Sequence, residues 1–459
     1  MRMRQDNASG SAHDYVPRGR RRGRTWRITA LPLAALIIAA VGSWGYLQQG
    51  KPDMPKIDVS LIRPAAGGAG VAAGIVDPNG PVQQTKYGPL TAADRDFLSK
   101  VRLAGLWEGP AGRKAQERSS SQLVKIAGQH LIAGHADLDA KDIAIAREFN
   151  VPLPVEPNVL QTGWLNEMDN AKTPQEFDKV FANRLRNAHG KVYILLSGIR
   201  AGTRNTMIRS FAQYCMNTVL DHMTVLERTG DVDFSTLPKP PAPADATPAD
   251  LKNVQQTKYG PLSASDRDML WRVKLAGLWE KPSGLQAQQR SQNALVKTAG
   301  EHLIAGHTDL DAKDIAIARE FNFQLPTEPN NDQKSWMAEM TAAQSPTAYD
   351  SVFANRLRAA HGKVFQLLAA ERAGSENAMI RSFAQYAMNT VLDHMTVLEK
   401  TSMVDFNQIP PPAKPVLLAS TAPAKHVNLV MLVTMLIVAA VISVVVLREL
   451  YGRRSGPQS

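Results

Sequence analysis

The chain has 459 residues but a single cysteine, Cys215, so no disulfide can form within it. It has no Gly-rich phosphate loop, no nucleophile elbow and no Cys-x-x-Cys pair. Nucleotide, serine-hydrolase and thiol-redox chemistry therefore lack a starting point. Alternating polar and apolar runs of strand type are absent as well, which points away from a sheet. Net charge is nearly missing from most of the chain's length. Of the formal net charge of +11, residues 1–27 supply eight Arg against Asp6 and Asp14, and residues 448–459 supply three Arg against Glu449. About +3 is left for the whole interior, so the basicity belongs to the tails and nucleic-acid binding is not expected.

What is present begins with two apolar runs. Residues 28–47 (ITALPLAALIIAAVGSWGYL) carry no charge, follow Arg18, Arg20, Arg21, Arg22, Arg24 and Arg27, and are long enough to span a bilayer. Their order of basic region, apolar core and small residues also fits a cleaved export signal, though no clean A-x-A site follows. A retained anchor is expected. Residues 427–447 (VNLVMLVTMLIVAAVISVVVL) precede Arg448, Arg453 and Arg454. The positive-inside rule puts both termini in the cytoplasm and everything between the anchors outside the cell membrane. Leu418-Ala419-Ser420-Thr421-Ala422 is similar to a cell-wall sorting motif, with Ala422 where such motifs carry Gly; a plain transmembrane stop is expected there.

Self-comparison shows a duplication. VQQTKYGPL starts at Val82 and again at Val254, an offset of 172 that also links Trp107 to Trp279, Trp164 to Trp336 and His222 to His394. The repeats span 82–234 and 254–406. Gly-, Ala- and Pro-rich linkers occupy 48–81, 235–253 and 407–426, and read as extended spacers.

Each repeat reads as four helices. Thr91 caps the first, with Asp94 three residues on, and Pro110 is expected to bend it before Arg118. The second runs from about Ser121 to Phe149, where Pro152 and Pro154 stop the chain. The third starts at the capping box Thr173-Pro174-Gln175-Glu176 and reaches about Arg200, and the fourth runs from about Asn205 to Arg228. Four amphipathic helices with short connections predict an antiparallel bundle.

Helical-wheel positions at 100° per residue turn several polar side chains inward. Glu108 shares a face with Phe97, Val101, Ala104 and Gly105. His222 shares one with Ile208, Phe211, Ala212, Cys215, Val219, Met223 and Leu226. His130 and His135 fall on opposite margins of the stripe Leu123, Ala127, Leu131, Leu138 and Ile145. His189 flanks the stripe Phe177, Phe181, Ala188, Val192 and Leu195. The second repeat supplies Glu280, His302, His307, His361 and His394. A carboxylate and several imidazoles aimed at one bundle interior are candidate metal ligands, although the Glu-x-x-His of di-iron bundles is missing and His130 and His135 lie about 140° apart, too far round the helix to chelate together. The expected reading is instead a buried hydrogen-bond network with no cofactor, in which Glu108 or a backbone carbonyl satisfies His222. Asp137, Asp139 and Asp142 lie within a helix, lack a calcium-loop glycine and read as a solvated face. Cys215, Trp107 and Trp164 read as packing residues.

With the helices placed, the chain resembles a known family. His-Leu-Ile-Ala-Gly-His-Ala-Asp-Leu-Asp at 130–139, Phe177-Asp178 with Ala188-His189-Gly190-Lys191, and Thr218 to Leu226 with Asp221-His222 are similar to the helix signatures of the domain of unknown function 4142 family. The resemblance implies two tandem ferritin-like four-helix bundles, all-α, exported and described as putative membrane or outer-membrane proteins. His135, His189, His222, His307, His361 and His394 are the matching histidines, and no established activity comes with them. The expectation is a non-enzymatic envelope module on the membrane that binds an envelope or cell-wall partner. The alternative is a metal-binding or oxidoreductase-like bundle.

Overall fold

The structure is a computed structural model, and the described residues are 80–413. The apolar runs 28–47 and 427–447, the basic tails and Leu418–Ala422 lie outside them. Among the described residues no helix is long and apolar enough to cross a membrane.

Repeat 1 forms α1 (Ala92–Arg118), α2 (Gln122–Glu148), α3 (Val159–Asn170), α4 (Pro174–Gly202) and α5 (Thr206–Arg228). A short helix in the linker, α6 (Pro248–Lys252), leads to repeat 2, which forms α7 (Ala264–Arg290), α8 (Ala294–Glu320), α9 (Asn331–Ala342), α10 (Pro346–Gly374) and α11 (Ala378–Lys400). No strand forms among the described residues, only isolated bridges such as Gln83 to Leu90. The caps are those the sequence predicts. Thr91 and Asp94 close a capping box on α1, as Ser263 and Asp266 do on α7, each worth about 1 kcal/mol. Thr173 accepts from Glu176 N, but the Glu176 carboxylate reaches one residue further back, to Lys172 N at 2.7 Å.

α1 is one continuous helix with Pro110 inside it. Two expectations change. The connection between the second and third long helices is not short: it contains α3, started by a capping box of Asn158 and Gln161. This helix brings Trp164 against Trp107, ring centroids 4.9 Å apart, and so closes that end of the core. Leu123 at the start of α2 is 47% exposed, so the buried stripe begins one residue later at Val124.

The long helices pair α1 with α2, α4 with α5, α2 with α5 and α1 with α4, and repeat 2 pairs in the same way. That is a four-helix bundle in each repeat. Phe177, Phe181 and Leu185 lie fully buried in repeat 1, as do Tyr349, Phe353 and Leu357 in repeat 2. Each such side chain contributes roughly 1.5–3 kcal/mol by leaving water.

The repeats are packed together rather than spaced apart. The largest apolar cluster draws on both, including Tyr193, Leu196 and Phe211 with Phe365, Leu368 and Phe383. α4 and α10 run antiparallel, with Gly190 beside Ala373 and Gly362 beside Ala201, where small residues let the helices approach. Around this contact the ion pairs are reciprocal. Glu227 accepts from Arg186 Nε and from Arg372 Nη1 across the interface, both at 2.7 Å. Glu399 accepts from Arg358 Nε at 2.7 Å and from Arg200 Nη1 at 2.8 Å. This is the two-fold logic of a homodimer written into one chain. The ends of the repeats complete it. Arg381 lies over the Phe234 ring at 3.6 Å and Arg209 over the Phe406 ring at 4.0 Å. Pro238 and Pro240 pack on Gly374, and Pro410 to Pro412 pack on Gly202. The first residues of the 235–253 and 407–426 linkers are therefore straps across the opposite repeat, not free spacers.

Candidate metal centre

Each of the four long helices of a repeat carries one polar side chain to the middle of the bundle. α1 supplies Glu108, α2 His135, α4 His189 and α5 His222. All four are buried, and one ligand atom from each lies within 4.8 Å of the others. Glu280, His307, His361 and His394 on α7, α8, α10 and α11 form the same group in repeat 2. Sequence reasoning had named all eight.

The details are repeated between copies. His135 Nε2 stands 2.6 Å from Glu108 Oε2, and His189 Nε2 stands 3.0 Å from the same oxygen. His189 Nε2 is also 3.0 Å from His222 Nδ1. In repeat 2 the corresponding distances are 2.7, 3.0 and 3.0 Å. Backbone carbonyls hold two of the rings from behind. His189 Nδ1 is 2.8 Å from Leu185 O, and His222 Nε2 is 3.0 Å from His130 O. A carbonyl only accepts, so each of those nitrogens must be the protonated one. The remaining nitrogens, His189 Nε2 and His222 Nδ1, face each other, and His189 Nε2 also faces Glu108; each carries a lone pair when its ring is neutral, and a second proton on His189 would point to Glu108 or His222.

Burial alone would raise the Glu108 carboxyl, but charge on His189 and His135 beside it holds it well below the usual carboxylate range. Glu280 behaves the same way with His361 and His307. Burial pushes His222 well down, with charge on His189 and His135 adding to the effect, so His222 stays neutral. A buried carboxylate oxygen among three imidazoles is compatible with a cation there, either protons on the rings or a metal ion in their place. The donor set is N3O. Four donors around an ion at 2.0–2.1 Å would stand roughly 3.3 Å apart, so the contacts of 2.6–3.0 Å would have to open slightly to admit one.

His130 and His302 are not brought into the group. Their rings pair with Asp221 and Asp393, both at 2.6 Å, at the partly exposed edge of the bundle. The His130 backbone carbonyl, not its ring, reaches the centre. Gly134 and Gly306 were missed from sequence: a Cβ on either would run into Nε2 of His222 or His394. The run of acids on α2 was misread. Asp139 pairs with Arg102 at 2.6 Å, and Asp142 is fully buried with no partner for either oxygen. Burial, with the charge of Asp139 next, pushes the Asp142 carboxyl far up, and the same causes push Asp314 in repeat 2 up to about 8. Cys215 is a buried core residue whose thiol burial pushes well up.

A family model described as "Domain of unknown function (DUF4142)" matches residues 79–228 and 252–400. The two matches take in more than half of the chain, which belongs to this family. No curated protein and no solved structure matches it.

Proposed function

We propose that each repeat of this tandem DUF4142 chain is a ferritin-like bundle that binds one divalent first-row transition-metal ion. The ligands are Glu108, His135, His189 and His222 in repeat 1 and Glu280, His307, His361 and His394 in repeat 2. The observation that carries this reading is the 3.0 Å approach of His189 Nε2 to His222 Nδ1, each with its other nitrogen engaged by a carbonyl. With both rings neutral, two bare nitrogens at that distance beside a carboxylate repel unless a second proton or a metal ion stands between them. Imidazole nitrogens with one carboxylate and no thiolate suit zinc, iron, copper or nickel. Four protein donors close a tetrahedron, the pattern of an ion that is held rather than one that reacts.

The metal-loaded pair serves as a binding module of the cell envelope, anchored by residues 28–47 and 427–447. Support comes from the length and basic flanks of those runs. The course of the described chain adds to it. On the way in, Tyr87 O accepts from Thr206 N at 2.8 Å and Gly88 O from Asn205 Nδ2 at 3.1 Å; on the way out, Phe406 O accepts from Arg204 Nε at 3.1 Å. Entry and exit share one corner of repeat 1, which suits two anchors in the same bilayer.

Elemental analysis of the purified full chain tests the first claim. About two equivalents of one transition metal per chain are expected. A fully folded chain that takes up none would leave a proton in the ion's place and overturn it. Protease added to spheroplasts tests the second, because residues 242–253 are almost wholly exposed and should be cut. Protection of that stretch would refute the external placement.

A further inference from the structure

Two of the three rings at each centre have their outer nitrogen held by a carbonyl, and the third does not. Nδ1 of His135 and of His307 is buried without a partner. One helical turn further along α2, on the same face, stands Asp139. Its Oδ2 is taken by Arg102 Nη1 at 2.6 Å, while its Oδ1 is buried and unpartnered. Asp139 Oδ1 stands against a position where α1 has a glycine. A Cβ on Gly105 would lie 2.7 Å from Asp139 Oδ1. In repeat 2 a Cβ on Gly277 would lie 2.9 Å from Asp311 Oδ1 and 3.6 Å from His307 Nδ1. Asp311 is held in turn by Lys274 at 3.0 Å.

We infer that Asp139 and Asp311 are positioning residues for the metal centres. Through one water seated beside the glycine, Oδ1 of each receives the hydrogen bond that Nδ1–H of His135 or His307 offers, and so fixes the tautomer that presents Nε2 to the ion. The inference rests on the metal-centre reading above. It gives each of the three rings an outer acceptor: Leu185 O for His189, His130 O for His222 and Asp139 for His135. It also gives Gly105 and Gly277 a reason beyond helix packing, because any larger residue would fill the space in which donor and acceptor meet. Arg102 and Lys274 keep the carboxylate in place from its outer oxygen. A ring held in this way loses less freedom on binding an ion, and loss of such a partner typically costs ten- to a hundredfold in metal affinity.

The test uses the full chain, zinc as the probe and the second repeat as an internal reference. Competition with a chromophoric chelator gives the two zinc affinities. Long-range ¹⁵N–¹H correlation of the histidine rings gives the tautomers with and without zinc. In the unaltered chain His135 Nδ1 should carry a proton in both states. Asp139→Ala should lower the affinity of the first site ten- to a hundredfold and leave the second unchanged, whereas Asp139→Asn, whose amide oxygen can still accept, should restore most of the loss. A first site in Asp139→Ala that binds zinc as tightly as in the unaltered chain would overturn the inference. So would a His135 Nδ1 without a proton in the unaltered chain, a measurement that needs no variant to fold. A chain that binds no zinc at all would remove the metal reading, while the tautomer of His135 in Asp139→Ala still decides whether the carboxylate controls the ring.

Discussion

His189 Nε2 and His222 Nδ1 face each other at 3.0 Å, and the nitrogen on the far side of each ring is engaged by a backbone carbonyl. Neither ring can turn its proton inward without leaving a carbonyl bare in the core, which costs about 1–3 kcal/mol. The arrangement therefore calls for a positive charge, either a second proton on one ring or a metal ion. If the cation is a metal ion, His222→Ala should remove it from repeat 1 alone, and His222→Ala with His394→Ala should remove both. The count by elemental analysis is expected to fall from about two to one to none. A double variant that still carries two ions would show that the metal sits elsewhere.

Gly134 lies on α2 where an alanine would ordinarily stabilise the helix by about 1 kcal/mol. Here a Cβ would strike His222 Nε2 and approach Thr218 Cγ2 to 2.9 Å. His222 is fully buried and held by His130 O, so it has nowhere to retreat. Gly134→Ala is expected to cost about 1–3 kcal/mol in urea unfolding and to weaken metal binding, although no ligand is changed. A gain in stability would refute the crowding.

The pairs across the interface should outweigh those on the surface. Glu227 holds Arg186 and Arg372, with Arg381 close by; burial alone would raise its carboxyl, but the three guanidinium groups bring it down to about 2. Removing it leaves buried cations without a counter-charge. Glu227→Ala should destabilise the chain by about 3–5 kcal/mol. Glu167→Ala, which breaks an exposed pair with Arg184, should cost about 0–1 kcal/mol. Equal costs for the two, read from chemical denaturation, would mean that the interface is not held by its charges.

Glu108 and His222 were legible in the sequence because a helix that buries a single stripe reveals it through its period. His189 was placed only at the margin because α4 buries two faces. One faces its own bundle; the other, with Arg186, Gly190 and Arg200, faces the second repeat. The partner of Arg186 across the interface, the carbonyl of Arg372, is 186 residues away, and no local pattern announces a contact at that distance. His130 and His135 could not be separated because the choice depends on which side of α2 meets α5. Asp142 was taken for a surface acid because a fully buried carboxyl without a partner is rare. α3 was missed although Asn158 and Gln161 carry its capping signal, since the prolines just before it read as the end of structure.

The last prediction concerns that rare group in repeat 2. Asp314 is fully buried, neither of its oxygens has a partner, and burial with the charge of Asp311 pushes it from its ordinary value near 3.8 up to about 8. Between those two values the folded chain holds a proton that the unfolded chain has released. The unfolded state then binds fewer protons, so stability must fall as pH rises through this window, by up to about 1.4 kcal/mol per unit. Below pH 4 both states are protonated and the full contribution is present; above pH 8 both are ionised and the loss is complete. Asp314→Asn keeps the shape and removes the titration. Urea unfolding of the metal-free chain at pH 5 and pH 8 should show the variant gaining on the unaltered chain by about 2–4 kcal/mol over that interval. Parallel pH dependence in the two proteins would mean that Asp314 ionises in the folded state as readily as in the unfolded one. Water, or a cation reaching its two oxygens, would then have to supply what the bundle core does not.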